Sequence, residues 1–415
     1  MNGLVKFLIV GAATCASFAL GFGWKDIKSG QPPKSPVQTA AKSEIAPTQL
    51  VMEEYRRILN LYGGEVDSNQ LMYSGLSGMV SALGDPYTQF FEPYVAQQFE
   101  KITMGTESFG GIGARLAPDP LGVKVIQVFK GGPAERGGIT GGDIIIGVNT
   151  ETVSGMASDD IVGKIKGKIG TSVSLKILRG GKQTLNFQLK RGRIEPPSAD
   201  GNILEGSNIG YLMVTGFTSK TPREFYESID RLENQGIEGL IIDLRDNGGG
   251  LLESAQMMLA RFYEFKTVVT MRERGGFEEV VKTPGGYLHP FNYPVVVLTN
   301  EQSASASEIF AGGLRDYKKA TLVGTTTFGK ASVQNVHQLG DRTQVKVTIA
   351  KYYLPSGEFI GRKEDEDGVR ISGGIKPDVE VKMSLRPNVA IGDPKTDNQL
   401  QEAMKVIRLK NPSAK

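Results

Sequence analysis

The stretch PVVVLTNEQSASASEIFAGGL, residues 294–314, decides the fold. Its first six residues form an apolar run too short for a core helix, and they read as a strand buried on both faces. A polar turn follows, and then a helix predicted from Ser303 to Asp316. Outward from this unit the same alternation repeats. IGYLMV (209–214) and GLIIDL (239–244) are strand-like. Helices are predicted over 221–234, with Phe225, Ile229 and Leu232 at i, i+4 and i+7, and over 251–262. Strands alternating with helices predict an α/β core over 193–390, followed by a tail over 391–415 whose residues 398–409 read as a short helix.

Upstream the period changes. VKVIQVF (123–129), DIIIGV (143–148), VSLKIL (173–178) and TLNFQL (184–189) read as short strands between Gly-rich turns. They predict a β-rich domain over 105–192, with one helix from Ser158 to Lys168. Residues 47–104 look helical, and Asp85-Pro86 stops the second of their helices. Residues 25–46 are rich in Pro, Ser and Lys and read as a flexible linker. Within 1–24, Phe7 to Trp24 carries no charge and follows Lys6, as in a cleaved signal peptide or a retained membrane anchor. The fold class predicted is α/β within an α+β multidomain chain.

Composition excludes several functions. One Cys among 415 residues allows neither an internal disulfide nor a multi-thiolate metal site. Two His residues cannot build a three-histidine zinc centre and leave few histidine bases. The net charge of +3, from 48 basic and 45 acidic residues, gives no argument for nucleic acid. The 53 glycines call for many tight turns or close backbone approaches.

Chemistry concentrates at three turns. In 300–314 the serines fall at a helix N-terminus, where unpaired N–H groups and the positive dipole end gather. A nucleophilic serine there has an oxyanion donor in the next residue's N–H. The letters Ser305-x-x-Glu308 also spell a capping box, which merely starts a helix. In DLRDNGGGLLESA (243–255) three glycines bring backbone N–H groups against an anion or carbonyl oxygen, or simply make a flexible turn. The Lys-Ser/Thr ending of a phosphate loop is missing. GTTTFGKASVQ (324–334) sets Lys330 among small residues. At a surface such a lysine is solvated. In an apolar pocket burial penalises its charged form, and it can take a proton from a serine.

In this order the motifs resemble the C-terminal processing peptidases, or tail-specific proteases. These are serine peptidases with a Ser-Lys dyad and an inserted PDZ domain. The resemblance covers roughly residues 47–390. The family's SxSxSE motif stands at 303–308 and implies Ser305 as nucleophile. Its GK(G/A)SVQ motif stands at 329–334 and implies Lys330 as general base and Gln334 as the residue that orients it. Glu308 matches an active-site acidic position. The DLRxNxGG motif matches 243–250 and implies that the N–H of Gly249 or Gly250 joins that of Ala306 in an oxyanion hole. LGDPYTQF (83–90) resembles the stretch before the PDZ domain, and YLPSGEFI (353–360) and GIKPDVEV (374–381) resemble the late strands. Gly248 in place of a usual Pro, and the insert RKEDEDGVRISG (362–373), depart from the pattern.

For the PDZ domain, Gly110, Gly111, Ile112 and Gly113 resemble a carboxylate-binding loop, whose backbone N–H groups cup a chain terminus. A strand over 111–116 would accept the peptide as an added strand, with Ile161 and Ile165 lining an apolar groove. The resemblance therefore implies protein substrates held by their C-termini, and neither cofactor nor metal. It leaves open a homo-oligomer or an activator protein. Joined to the apolar stretch at 7–24, it implies an exported protein, periplasmic or on the extracytoplasmic face of a membrane. Two other functions stay open at this level: a Ser-His-Asp hydrolase using His289 or His337, and a PDZ scaffold on an inactive peptidase fold.

Overall fold

A computed structural model describes residues 46–368, 370–384 and 389–414. The apolar stretch at 7–24 and all of the linker but its last residue lie outside them. Among the described residues no helix is long and apolar enough to cross a membrane. The helix Pro47–Leu61 belongs to a compact unit of its own, starts on a proline and buries none of its residues.

The second unit carries the alternation read above. Its central sheet has six strands in the order Ala199–Ile203, Ile209–Val214, Gly239–Asp243, Val295–Thr299, Thr321–Gly324, Val379–Glu380. The first pair is antiparallel and the rest are parallel. Side chains of a strand alternate between faces, and here both faces are covered. Leu240, Ile242, Val295 and Val297 meet Phe225, Ile229, Met258 and Phe310 from the helices Thr221–Asn234, Leu252–Ala260 and Ala306–Asp316. Ile241, Val296 and Leu298 meet Leu400, Ala403 and Ile407 of the helix Asn398–Lys410 on the other side. That is why these strands read as unbroken apolar runs.

A second sheet, antiparallel, was not legible as strands. It joins Gln89–Phe91, Thr267–Glu273, Glu278–Lys282, Ser332–Gln338 and Gln344–Tyr353. Its strands carry many polar and exposed positions, so no apolar run marks them. Two expected late strands are corrected. Residues 354–360 follow the strand Gln344–Tyr353 as turn and loop, and of 374–381 only Val379–Glu380 pairs. The helix expected from Ser303 begins at Ala306, because Ser303 to Ser305 form the turn.

The β-rich segment forms a third sheet of Ala114–Asp119, Gly122–Val128, Ile144–Val148, Ser172–Arg179 and Gln183–Lys190, with Glu151–Thr152 paired to one side. Its core holds Val123, Val125, Ile145, Leu175 and Ile177 beneath the helix Ser158–Ile165.

The parallel strands deliver three turns, after Asp243, Thr299 and Gly324, to one edge of the central sheet. Carboxyl ends of parallel strands are where open α/β sheets place their sites. One buried ion cluster braces that edge. Arg245 donates to both Asp243 and Asp397, at 2.6 and 2.7 Å, with all three side chains essentially inaccessible to solvent. Asp397 caps the helix Asn398–Lys410, so the cluster docks that helix to the turn after Asp243. Arg245→Ala leaves two carboxylates buried without their partner, and is expected to cost roughly 3–5 kcal/mol of stability. Denaturant titration measures it, and a midpoint equal to that of the parent chain contradicts it.

Candidate active site

The three serines of 303–307 have separate fates. Ser303 is fully buried and its hydroxyl donates to the Leu244 carbonyl at 2.8 Å. Ser307 is also buried and donates to the Asn247 carbonyl at 2.8 Å. The Ala304 N–H reaches the same Asn247 carbonyl at 3.0 Å. Both outer serines therefore stitch this turn to the turn after Asp243. Ser305 alone is half-buried, and its side chain donates no hydrogen bond among the described residues. Its φ of 57° and ψ of −117° are rarely adopted by an L-residue, at a cost of order 1–3 kcal/mol. The neighbours that enforce it are the bonds of Ser303, Ala304 and Ser307.

Glu308 holds the centre. Its side chain is fully buried and accepts four hydrogen bonds. One oxygen takes the Ser305 and Lys330 amides, each at 2.9 Å. The other takes the Thr327 hydroxyl at 2.5 Å and the Gly329 amide at 2.6 Å. The Ser305 and Lys330 backbones are thus gripped by one atom. Burial pushes the carboxyl up, and the four donors pull the other way.

The Lys330 side chain is half-buried and forms no ion pair among the described residues. Its Nζ lies 4.8 Å from the centre of the Tyr87 ring. Tyr352, fully buried, donates to the Lys330 carbonyl at 2.6 Å. Burial first, and the like charge of Lys346 second, bring the amine down to about 8, against the opposing pull of Glu308 and Asp85. A lysine in this state is a base near neutral pH. Gln334 does not hydrogen-bond that amine. Its Nε2 donates to Ser332 at 2.8 Å and to Thr348 at 3.2 Å, next to a bulge between Val333 and Gln334.

The glycine turn lies against the serine turn. Gly249 has a φ of 96°, and a Cβ there would stand 2.9 Å from the Ala306 nitrogen and 2.6 Å from the Ala304 oxygen. Only glycine permits that approach. The expectation that Gly249 supplies an oxyanion N–H is corrected, because that N–H already donates to Asn247 Oδ1 at 2.9 Å. The amides of Ala306 and Gly250 have no acceptor among the described residues. Asn247, fully buried, also donates through its side chain to the Val214 carbonyl at 2.8 Å and so fixes the glycine turn from within. Asn247 is a fixed letter of the matched DLRxNxGG motif, but its role was not read from sequence, and Tyr352, in a half-exposed strand, carried no local signal of burial.

In the β-rich domain the expected strand over 111–116 is broken. Phe109–Gly111 pairs with Gly192–Ile194, and pairing with Gly122–Val128 starts at Ala114, after Gly113 at a φ of 78°. The Gly110 carbonyl accepts from the Gly167 amide at 3.0 Å, and that close approach leaves no room for a side chain at Gly110. Ala114–Asp119 is therefore one end strand of this sheet, and Gln183–Lys190 is the other. Ile112, Ile161 and Ile165 are at most 3% exposed and belong to this domain's core, so neither Ile161 nor Ile165 lines an open groove. Neither histidine bonds to Ser305. His337 is exposed, and His289 pairs with Glu233 at 3.2 Å.

Comparison with known proteins follows the same division. Residues 208–381 match peptidase family S41 and residues 101–178 match the PDZ domain. The carboxy-terminal processing protease CtpB of Bacillus subtilis is 35% identical over 360 residues, which cover 86% of this chain and 71% of that protein. The carboxy-terminal processing protease CtpA of the same organism is 34% identical over 330 residues, covering 79% and 68%. A solved Bacteroides fragilis chain assigned to the S41 proteases has the same fold, with a TM-score of 0.55 at 17% identity, covering 89% of this chain and 99% of that one.

Removal of the central carboxylate tests the arrangement. Glu308→Ala leaves three amides and a hydroxyl without their acceptor at a buried position, and is expected to cost on the order of 3 kcal/mol. Thermal unfolding reads the loss. Unchanged stability contradicts the role of Glu308 as the tie between the two turns.

Proposed function

The chain belongs to the carboxy-terminal processing proteases of peptidase family S41, and on that premise we propose that it cleaves proteins near their C-termini with Ser305 as nucleophile and Lys330 as general base. It is a serine-type peptidase with a PDZ domain. The observation that carries the dyad is the shared grip of Glu308 on Ser305 and Lys330, beside an amine that has no carboxylate partner. In this reading neutral Lys330 takes the Ser305 proton as Oγ attacks the scissile carbonyl. The oxyanion that forms is met by the N–H groups of Ala306 and Gly250. Lys330 then returns the proton to the leaving amine, and water hydrolyses the acyl-enzyme. In this reading Gln334 acts at one remove, tying Ser332 of its own strand to Thr348 of the neighbouring one.

The PDZ domain, which we assign to 105–192 ahead of a peptidase core over 193–390, captures the substrate's C-terminus. The end strand Ala114–Asp119, which follows directly on the loop 110–113, supports capture by strand addition. The helical lead-in over 47–104 and the tail over 391–415 flank these domains, and an exported placement rests on the stretch at 7–24.

Two measurements test the proposal. Ser305→Ala and Lys330→Ala are each expected to lower kcat by about a thousandfold or more on a protein with an apolar C-terminus. The fragments are read by mass spectrometry, and full trimming by either variant contradicts the dyad, whereas an inactive parent chain favours a scaffold. Because the base works unprotonated, kcat/KM is expected to rise about tenfold per pH unit below about 8 and to level above it. A profile that peaks in acid contradicts a lysine base. For capture, a peptide with a free C-terminal carboxylate is expected to compete with substrate at least about tenfold better than its C-terminal amide. Equal competition contradicts recognition of the terminus.

A further inference from the structure

The turn over 85–88 resembles only a lead-in to the PDZ domain when read as sequence, but in space it reaches the amine. Asp85 accepts from the Tyr87 amide at 3.0 Å and from the Thr88 hydroxyl at 2.6 Å. The Thr88 hydroxyl accepts from the Thr348 amide at 3.0 Å. Gln89–Phe91 then pairs antiparallel with residues 344–346. The turn is thereby fastened to the strand Gln344–Tyr353, the same strand whose Tyr352 holds the Lys330 carbonyl and whose Thr348 takes Gln334. Tyr87 projects from this fastened turn, half-buried, with its ring over the Lys330 Nζ. Its hydroxyl makes no hydrogen bond among the described residues, and the ring is the part that meets the amine.

We infer that Tyr87 is a positioning residue for the proton transfer: its ring caps the Lys330 amine, limits its rotamers and keeps bulk water off the nitrogen. This rests on the Ser305–Lys330 reading and adds a residue to it. Two effects of the ring oppose each other. Its face attracts a cation, which favours the charged lysine. Its bulk excludes water, which favours the neutral one. Burial is the largest influence on Lys330 and lowers it, and on this inference the ring's share of that burial outweighs its attraction for the cation. The charged groups that act on the amine are Glu308, Asp85 and Lys346, Arg362 and Glu364 act on Tyr87, and the Tyr352 hydroxyl bonds the Lys330 carbonyl. Burial and the charges of Asp85 and Glu308 push the Tyr87 phenol up, so it stays neutral through the working range.

The test is the pH dependence of kcat/KM from about pH 6 to about pH 10 for Tyr87→Ala, Tyr87→Phe and Lys330→Ala, with thermal melts of each. Tyr87→Ala is expected to move the acid limb about one unit to higher pH, an approximately tenfold loss on that limb that recovers in alkali. Tyr87→Phe, which keeps the ring, is expected to follow the parent limb. A Tyr87→Ala limb that stays in place or moves to lower pH overturns the inference. So does a Tyr87→Phe limb displaced as far as that of Tyr87→Ala. If Tyr87→Ala melts early, Tyr87→Gln, a polar side chain that brings water, makes the same comparison with the same expected shift. Activity retained by Lys330→Ala would instead overturn the dyad, a failure distinct from any behaviour of the Tyr87 variants.

Discussion

The site depends on one buried carboxylate. Glu308 has no solvent to share its charge, so its position is tolerable only while donors surround it. The donors it finds are the amides of Ser305, Gly329 and Lys330 and the hydroxyl of Thr327. Two turns that follow different strands are thereby drawn onto one group. Their backbones cannot drift apart without stranding a charge in the interior. The bonds that satisfy Glu308 are the same ones that hold the backbones of Ser305 and Lys330, the two residues of the proposed dyad.

Rigid supports surround that tie. Asn247 joins the glycine turn to the end of the strand Ile209–Val214, and Ser303 and Ser307 join the serine turn to the glycine turn. The strain at Ser305 is held by these bonds, as a strained residue requires. Farther out, Arg245 between Asp243 and Asp397 fixes the edge from which the turns emerge. Helices on both faces of the central sheet keep that edge stiff. Preorganisation of this kind is what lets backbone N–H groups stabilise a developing charge without rearranging.

Much of this was legible in the letters, and the rest was not for identifiable reasons. The inner parallel strands announce themselves because both their faces are buried and they are apolar up to their last residues, Asp243 and Thr299. The antiparallel sheet, drawn from 89–91 and 267–353, does not, since exposed and polar positions interrupt it. The serine motif marks the turn. The choice of Ser305 over Ser303 and Ser307 becomes a physical one only when the outer hydroxyls are seen to be engaged across the turn. Gly249 and Gly250 are equivalent as letters. Asn247, four residues from the strand, separates them by taking the Gly249 amide. Ile161 and Ile165 have the spacing of a groove wall, yet spacing does not distinguish a groove from a core, and both are buried. Tyr87 lies 243 positions from Lys330, beyond the reach of any local pattern.

Half-buried and without a carboxylate partner among the described residues, Lys330 is free to give up its proton near neutral pH. An NMR titration of the Lys330 ε-methylene or amine signal, assigned by comparison with Lys330→Arg in a Ser305→Ala background, measures this without any substrate. The account predicts a midpoint of about 8. A midpoint of about 10.4, that of a solvated lysine, would contradict it.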